Sequence, residues 1–125
     1  PLQVTSTLLF PQWKLGDTEP EFTIMRIVLR GTENGQHREI VYQLFDTFDA
    51  KTGISSMART TGFTSTAMAH LLANSDFSRK GICPPEFIGE TPGCFDKVMQ
   101  YLKDRQVVYH KIARTLGGDE TSRNR

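Results

Sequence analysis

Apolar positions repeat every second residue over two stretches of this chain, Phe22 to Arg30 and Gln36 to Phe48, as strands with one covered face require. Asn34-Gly35 separates them. Both central residues of a type I′ turn need positive φ, and Asn-Gly supplies that at the least steric cost. A turn there pairs Glu33 with Gln36 and sets Leu29 opposite Ile40, Ile27 opposite Tyr42 and Met25 opposite Leu44. That face is unbroken in apolar residues and is expected to be core. The other face pairs Arg30 with Glu39, Val28 with Val41 and Arg26 with Gln43. It reads as a mixed, solvated surface, with the Arg30–Glu39 pair worth under about 1 kcal/mol.

The period changes to that of a helix between Ile54 and Leu72. Ser55 and Ser56 offer side-chain oxygens to the first-turn amides. Met57, Thr61, Thr64, Met68 and Leu71 then follow helical spacing, beside a second stripe of Ala58, Gly62, Ser65 and Ala69. Gly62 alone costs about 1 kcal/mol relative to alanine. The small-residue stripe fits either tight packing against a sheet or the wall of a ligand site.

Four more segments complete the reading. Val4 to Phe10, rich in β-branched residues and closed by Pro11, predicts a strand, and Trp13 follows in a polar loop running to Glu21. Ala73 to Glu90, with Pro84-Pro85, predicts an ordered crossing loop. Thr91 with Pro92 predicts the start of a second helix, whose Phe95, Val98, Met99 and Leu102 form one apolar face. Val107 to Ala113 predicts a last strand. The expected fold is α+β, a largely antiparallel sheet with helices packed on one face. Residues 1–116 are expected to form one domain and 117–125 a disordered tail.

Composition narrows the partners. Fifteen Lys+Arg against fourteen Asp+Glu give a net charge of +1 over 125 residues, with the basic residues dispersed. No nucleic-acid partner is expected. No apolar run approaches the roughly 18 residues that cross a bilayer, and no leader pattern opens the chain, so the expectation is a cytoplasmic protein without a membrane partner. Cys83 and Cys94 lack CxxC spacing and read as free thiols. The chain starts at Pro1 without an initiator methionine and reads as an excised or processed piece.

Chemistry is sparse. There is no GxGxxG, no GxSxG and no HExxH. Asp46 and Asp49 are too few for a calcium loop. No catalytic or metal-ligating residue and no cofactor-binding segment are therefore assigned to this chain. Arg59 is the best candidate for a binding residue, because its planar fork matches a carboxylate. Alternatively it points to solvent or pairs with Asp46 or Asp49.

Ile54-Ser-Ser-Met-Ala-Arg-Thr-Thr-Gly-Phe63 and Arg79-Lys-Gly-Ile-Cys-Pro-Pro-Glu86 resemble strings of the saccharopine dehydrogenase family. The Asn-Gly hairpin and Tyr101-Leu-Lys-Asp-Arg-Gln-Val-Val-Tyr109 extend the resemblance from about Phe22 to Tyr109. It covers the later part of that family's substrate and dimerisation domain. The resemblance implies a parent enzyme with a Rossmann domain binding NAD or NADP, working on an amino-acid substrate of lysine metabolism, and a homodimer built by this domain. This chain lacks the nucleotide-binding half, so catalysis by it alone is not expected. Position by position, Arg59, Thr60, Thr61 and Gly62 match the helix beside the family's substrate site. A stand-alone amino-acid-binding or regulatory module, or a purely structural dimerisation domain, are the alternatives.

Overall fold

In the computed structural model, residues 2–14, 16 and 19–116 are described. Their elements run α1 (Leu2–Trp13), β1 (Phe22–Glu33), β2 (Gln36–Thr47), α2 (Ser56–Ala73), α3 (Pro85–Glu90), α4 (Cys94–Lys103) and β3 (Tyr109–Thr115). The sheet has the order β1-β2-β3 and is antiparallel throughout. The expected α+β architecture, with helices on one face, is the one observed.

The hairpin follows its turn chemistry. Asn34 and Gly35 take φ of 52° and 75°, and the register pairs Glu33 with Gln36 and Met25 with Leu44 as the turn requires. Leu44 then joins Ala67 and Leu71 of α2, Cys94, Val98 and Leu102 of α4, and Phe77 and Val107 in one buried cluster. The expected core face is only partly covered. The helices reach Leu44, but toward the hairpin tip Leu29 stays 51 % exposed.

The first element corrects the sequence reading. Val4–Phe10 is not a strand but part of α1, and Trp13 ends that helix instead of lying in a loop. β-branched content favours a strand only where a neighbouring strand takes its backbone hydrogen bonds, and among the described residues none lies beside this segment. A helix satisfies its own backbone. Ser6 and Thr7 also turn their hydroxyls back onto the Gln3 carbonyl, at 3.0 and 2.8 Å.

Three further boundaries move. The expected loop from Ala73 to Glu90 contains α3, with Pro85 in its first turn, where a missing N–H costs nothing. Thr91 ends α3 and bonds back to the Phe87 carbonyl at 2.8 Å, so it does not cap α4, which begins after left-handed Gly93. β3 lies two residues later than expected, because Val107 is withdrawn into the core. The segment expected to be a disordered tail, 117–125, lies outside the described residues.

Candidate functional site

α2 starts where its sequence says it should. Ser55 is the N-cap and accepts from the Ala58 amide at 3.1 Å. A second cap comes from outside the helix: the Glu21 carboxylate accepts from both the backbone N–H and the hydroxyl of Ser56. Thr23 on β1 joins the Ser56 hydroxyl at 2.6 Å. The positive end of the helix is thereby occupied by a carboxylate of the same chain. It is not available as a pyrophosphate cradle, and these residues do not fit a dinucleotide.

One turn into α2, Arg59 points inward. Its Nε donates to Asp46 Oδ2 at 3.0 Å and its Nη2 to Asp46 Oδ1 at 3.3 Å, a bidentate fork on the last turn-ward residues of β2. Nη2 also donates to the Arg105 carbonyl at 3.1 Å, and Nη1 reaches Asp49 at 3.5 Å. The arginine and Asp46 side chains are only 8 % and 5 % exposed. Phe63, one turn on, lies beneath the guanidinium at 5.8 Å and also faces Arg105. One buried arginine thus ties together β2, α2 and the turn that follows α4.

Asp49 completes the cluster on its wetter side. It accepts from the Thr52 hydroxyl at 2.8 Å and the Lys51 amide at 3.0 Å, folding the 49–53 link into a turn. The Thr52 hydroxyl first, then the Lys51 amide and the charge of Arg59, hold its carboxyl below the usual range against the cost of burial. Gln106 crosses the other side in a left-handed conformation, φ 64°. Between Phe48, Lys51, Arg59 and Gln106 opens a cleft of about 410 Å³.

The four residues of the predicted binding run do not share one face. Arg59 and Thr60 are buried, and the Thr60 hydroxyl is spent on the Ser56 carbonyl at 2.9 Å. Thr61 and Gly62 lie on the outer flank with Ala58, Ser65 and Ala69, all exposed. No atom stands within 4 Å of a Cβ built on Gly62. The small-residue stripe is therefore not packed against the sheet. Sequence reading singled out Arg59 and named Asp46 and Asp49 as possible partners, but gave no sign of Glu21 or of the Arg105 carbonyl. Both meet α2 only through the tertiary fold.

The opposite face of the sheet carries a second charged cluster. Glu39, on the central strand, is bracketed by Arg30 of β1 at 2.7 Å and Arg114 of β3 at 2.8 Å. Expected to be solvated, Glu39 is 2 % exposed, because strands on both sides cover it. The Arg30 hydrogen bond, opposed by burial and reinforced by Arg114, lowers its pKa. Around it Phe22, Ile24, Val28, Phe45 and Ile112 are exposed, and Arg26 carries no partner among the described residues.

Cys83 and Cys94 are free thiols, and no group of three or more metal-ligating side chains occurs among the described residues. No helix among them is long and apolar enough to cross a membrane. An antiparallel sheet with helices on one face, a buried arginine–carboxylate cluster beneath them and an open face behind define an α+β domain. The profile of the saccharopine dehydrogenase C-terminal domain matches residues 1–108, and the chain belongs to that family. No solved structure matches it significantly.

Proposed function

We propose that this domain holds the substrate and joins subunits in an NAD(P)-dependent oxidoreductase of the saccharopine dehydrogenase type, acting on an amino acid of lysine metabolism in the cytoplasm. The nicotinamide site belongs to a Rossmann domain of the parent enzyme, since this sequence has no GxGxxG and the start of α2 is occupied by Glu21. The observation that carries the reading is the division of the sheet. One face is sealed by helices around Leu44, whereas the other leaves Phe22, Ile24, Phe45 and Ile112 open to solvent. Apolar residues grouped in this way mark a surface that meets another protein surface.

The substrate role rests on α2. Arg59 is fixed by Asp46 and lines the 410 Å³ cleft, and its Nη1 makes only the long contact to Asp49. Thr61 and Gly62 offer an outer flank that admits close approach. Kinetics of the enzyme carrying this domain test the assignment. Arg59→Lys and Thr61→Val are each expected to raise KM for the amino-acid substrate about 10-fold, one arginine-type contact being worth 1–2 kcal/mol. Unaltered KM in both variants overturns the substrate role. Sedimentation tests assembly, and a chain that stays monomeric at about 100 µM overturns it.

A further inference from the structure

The hairpin tip is the least supported part of the sheet. β3 pairs with β2 only as far as Arg38–Thr115, with one further bond from the Leu116 amide to the His37 carbonyl at 2.8 Å. Beyond that row Thr32, Glu33, Gln36 and His37 stand as two strands alone, and all four are exposed. Their side chains add two contacts open to water, Thr32 Oγ1 to His37 Nδ1 at 3.3 Å and Arg38 Nη1 to Glu33 at 3.2 Å. Gly31, opposite Arg38, brings no side chain to the last three-stranded row. Such a segment opens locally while the core stays folded.

At the end of this tip stand Asn34 and Gly35. Neither the Asn34 side-chain amide nor the Gly35 backbone N–H has a hydrogen-bond partner among the described residues, and a Cβ built on Gly35 meets no atom within 4 Å. We infer that Asn34 is a site of spontaneous covalent modification, cyclising onto the Gly35 nitrogen when the hairpin tip opens. The Gly35 nitrogen gives up its proton to water and attacks Cγ of Asn34. A C–N bond forms there as the bond from Cγ to the side-chain nitrogen breaks, and that nitrogen takes up a proton and leaves as ammonia. Water then adds to one carbonyl of the cyclic imide and opens it, to aspartate or to isoaspartate. Water is the only other reactant.

The turn itself sets the rate. At the first central position of a type I′ turn ψ is about +30°, which swings the Gly35 nitrogen away from Asn34 Cβ. Ring closure needs that nitrogen and Cβ on the same side of the Cα–C bond, so the closed hairpin protects Asn34 and opening of the tip releases it. Glycine as the next residue leaves the attacking nitrogen unshielded, because it has no Cβ. The two products then differ in what they do to the fold. Asp-Gly suits the same turn, whereas isoaspartate inserts a methylene into a two-residue loop whose length fixes the register.

Peptide mapping of the aged 125-residue chain decides it. At mildly alkaline pH the peptide holding Asn34 is expected to become one mass unit heavier, and part of it to accept a methyl group from an isoaspartyl methyltransferase. The same conversion is expected to run about 10-fold faster when the chain is unfolded in urea. Asn34→Asp is expected to show no mass gain. A lock on the tip separates gating from simple exposure: Thr32→Cys with His37→Cys, directly opposite each other, in a Cys83→Ser background that leaves only buried Cys94. Closing that disulfide is expected to slow the conversion about 10-fold, and reduction to restore it. An Asn34 that stays intact in the folded parent chain long after the unfolded chain is fully converted overturns the site. Equal rates in the folded and unfolded parent, or with the disulfide open and closed, overturn the gating by the tip.

Discussion

Two arginine–carboxylate clusters occupy opposite sides of one sheet, and they differ in which partner is buried. Behind the helices both partners of Arg59–Asp46 are sealed, at 8 % and 5 % exposure. On the open face only the acid is sealed: Glu39 lies at 3 %, while Arg30 and Arg114 remain 56 % and 60 % exposed. The first cluster gives up most of its hydration and satisfies its donors largely within the fold, the Arg105 carbonyl included. The second keeps its arginines in water. Burial of both partners makes a clamp within the fold, and exposure of the arginines leaves a pair that solvent screens.

The sharpest way to break this contrast is to remove the sealed arginine. Arg59→Ala leaves Asp46 buried without its counter-charge and frees the Arg105 carbonyl, and is expected to cost about 3–5 kcal/mol in chemical denaturation. Replacing both partners by apolar residues, Arg59→Met with Asp46→Leu, is expected to recover most of that loss, because no orphaned charge remains. A single variant within 1 kcal/mol of the parent, about the value of an exposed pair, shows that the cluster is not sealed in solution.

The open-face cluster is expected to give a smaller effect that depends on pH and salt. The folded state lowers the Glu39 pKa, so the pair contributes stability above the unfolded-state value and loses it as pH falls through the folded one. Asp49 shifts in the same direction. The difference between parent and Glu39→Gln therefore isolates Glu39: the variant is expected to lose less stability on acidification from neutral pH, and the gap is expected to narrow in high salt. Parallel acid profiles for the two chains remove the electrostatic account of this face.

The same contrast explains how much was legible in the sequence. The hairpin and its register were, because Asn34-Gly35 and the two-residue period are local signals that agree with each other. The α2 start was legible for the same reason. α1 was not: Val4, Thr5 and Thr7 carry β-branched propensity, and propensity yields when no neighbouring strand is present. Glu39 read as solvated because its cover comes from β3, more than seventy positions away, whose register no local pattern supplies. Arg59 was legible as a carboxylate partner by its chemistry, and Asp46 and Asp49 as its possible partners. That Asp46 takes the fork depends on α2 packing across the end of β2.

The smallest expected effect asks what remains for the outer flank of α2, one residue-turn away from the sealed arginine. Gly62 has ordinary helical surroundings, and a Cβ added there meets no atom within 4 Å. Gly62→Ala is therefore expected to stabilise the fold by about 0.5–1 kcal/mol, by restricting the unfolded chain and improving helix propensity. A glycine retained there against that gain is explained if a ligand or partner backbone needs the space. In the proposed enzyme the same variant is then expected to bind the amino-acid substrate less tightly while melting higher. Higher melting with unchanged kinetics assigns the flank no part in substrate contact and leaves the cleft beside Arg59 as the remaining place for it. Lower stability shows instead that the flank is covered in solution, and the contrast between a sealed inner side and a free outer one then fails for α2.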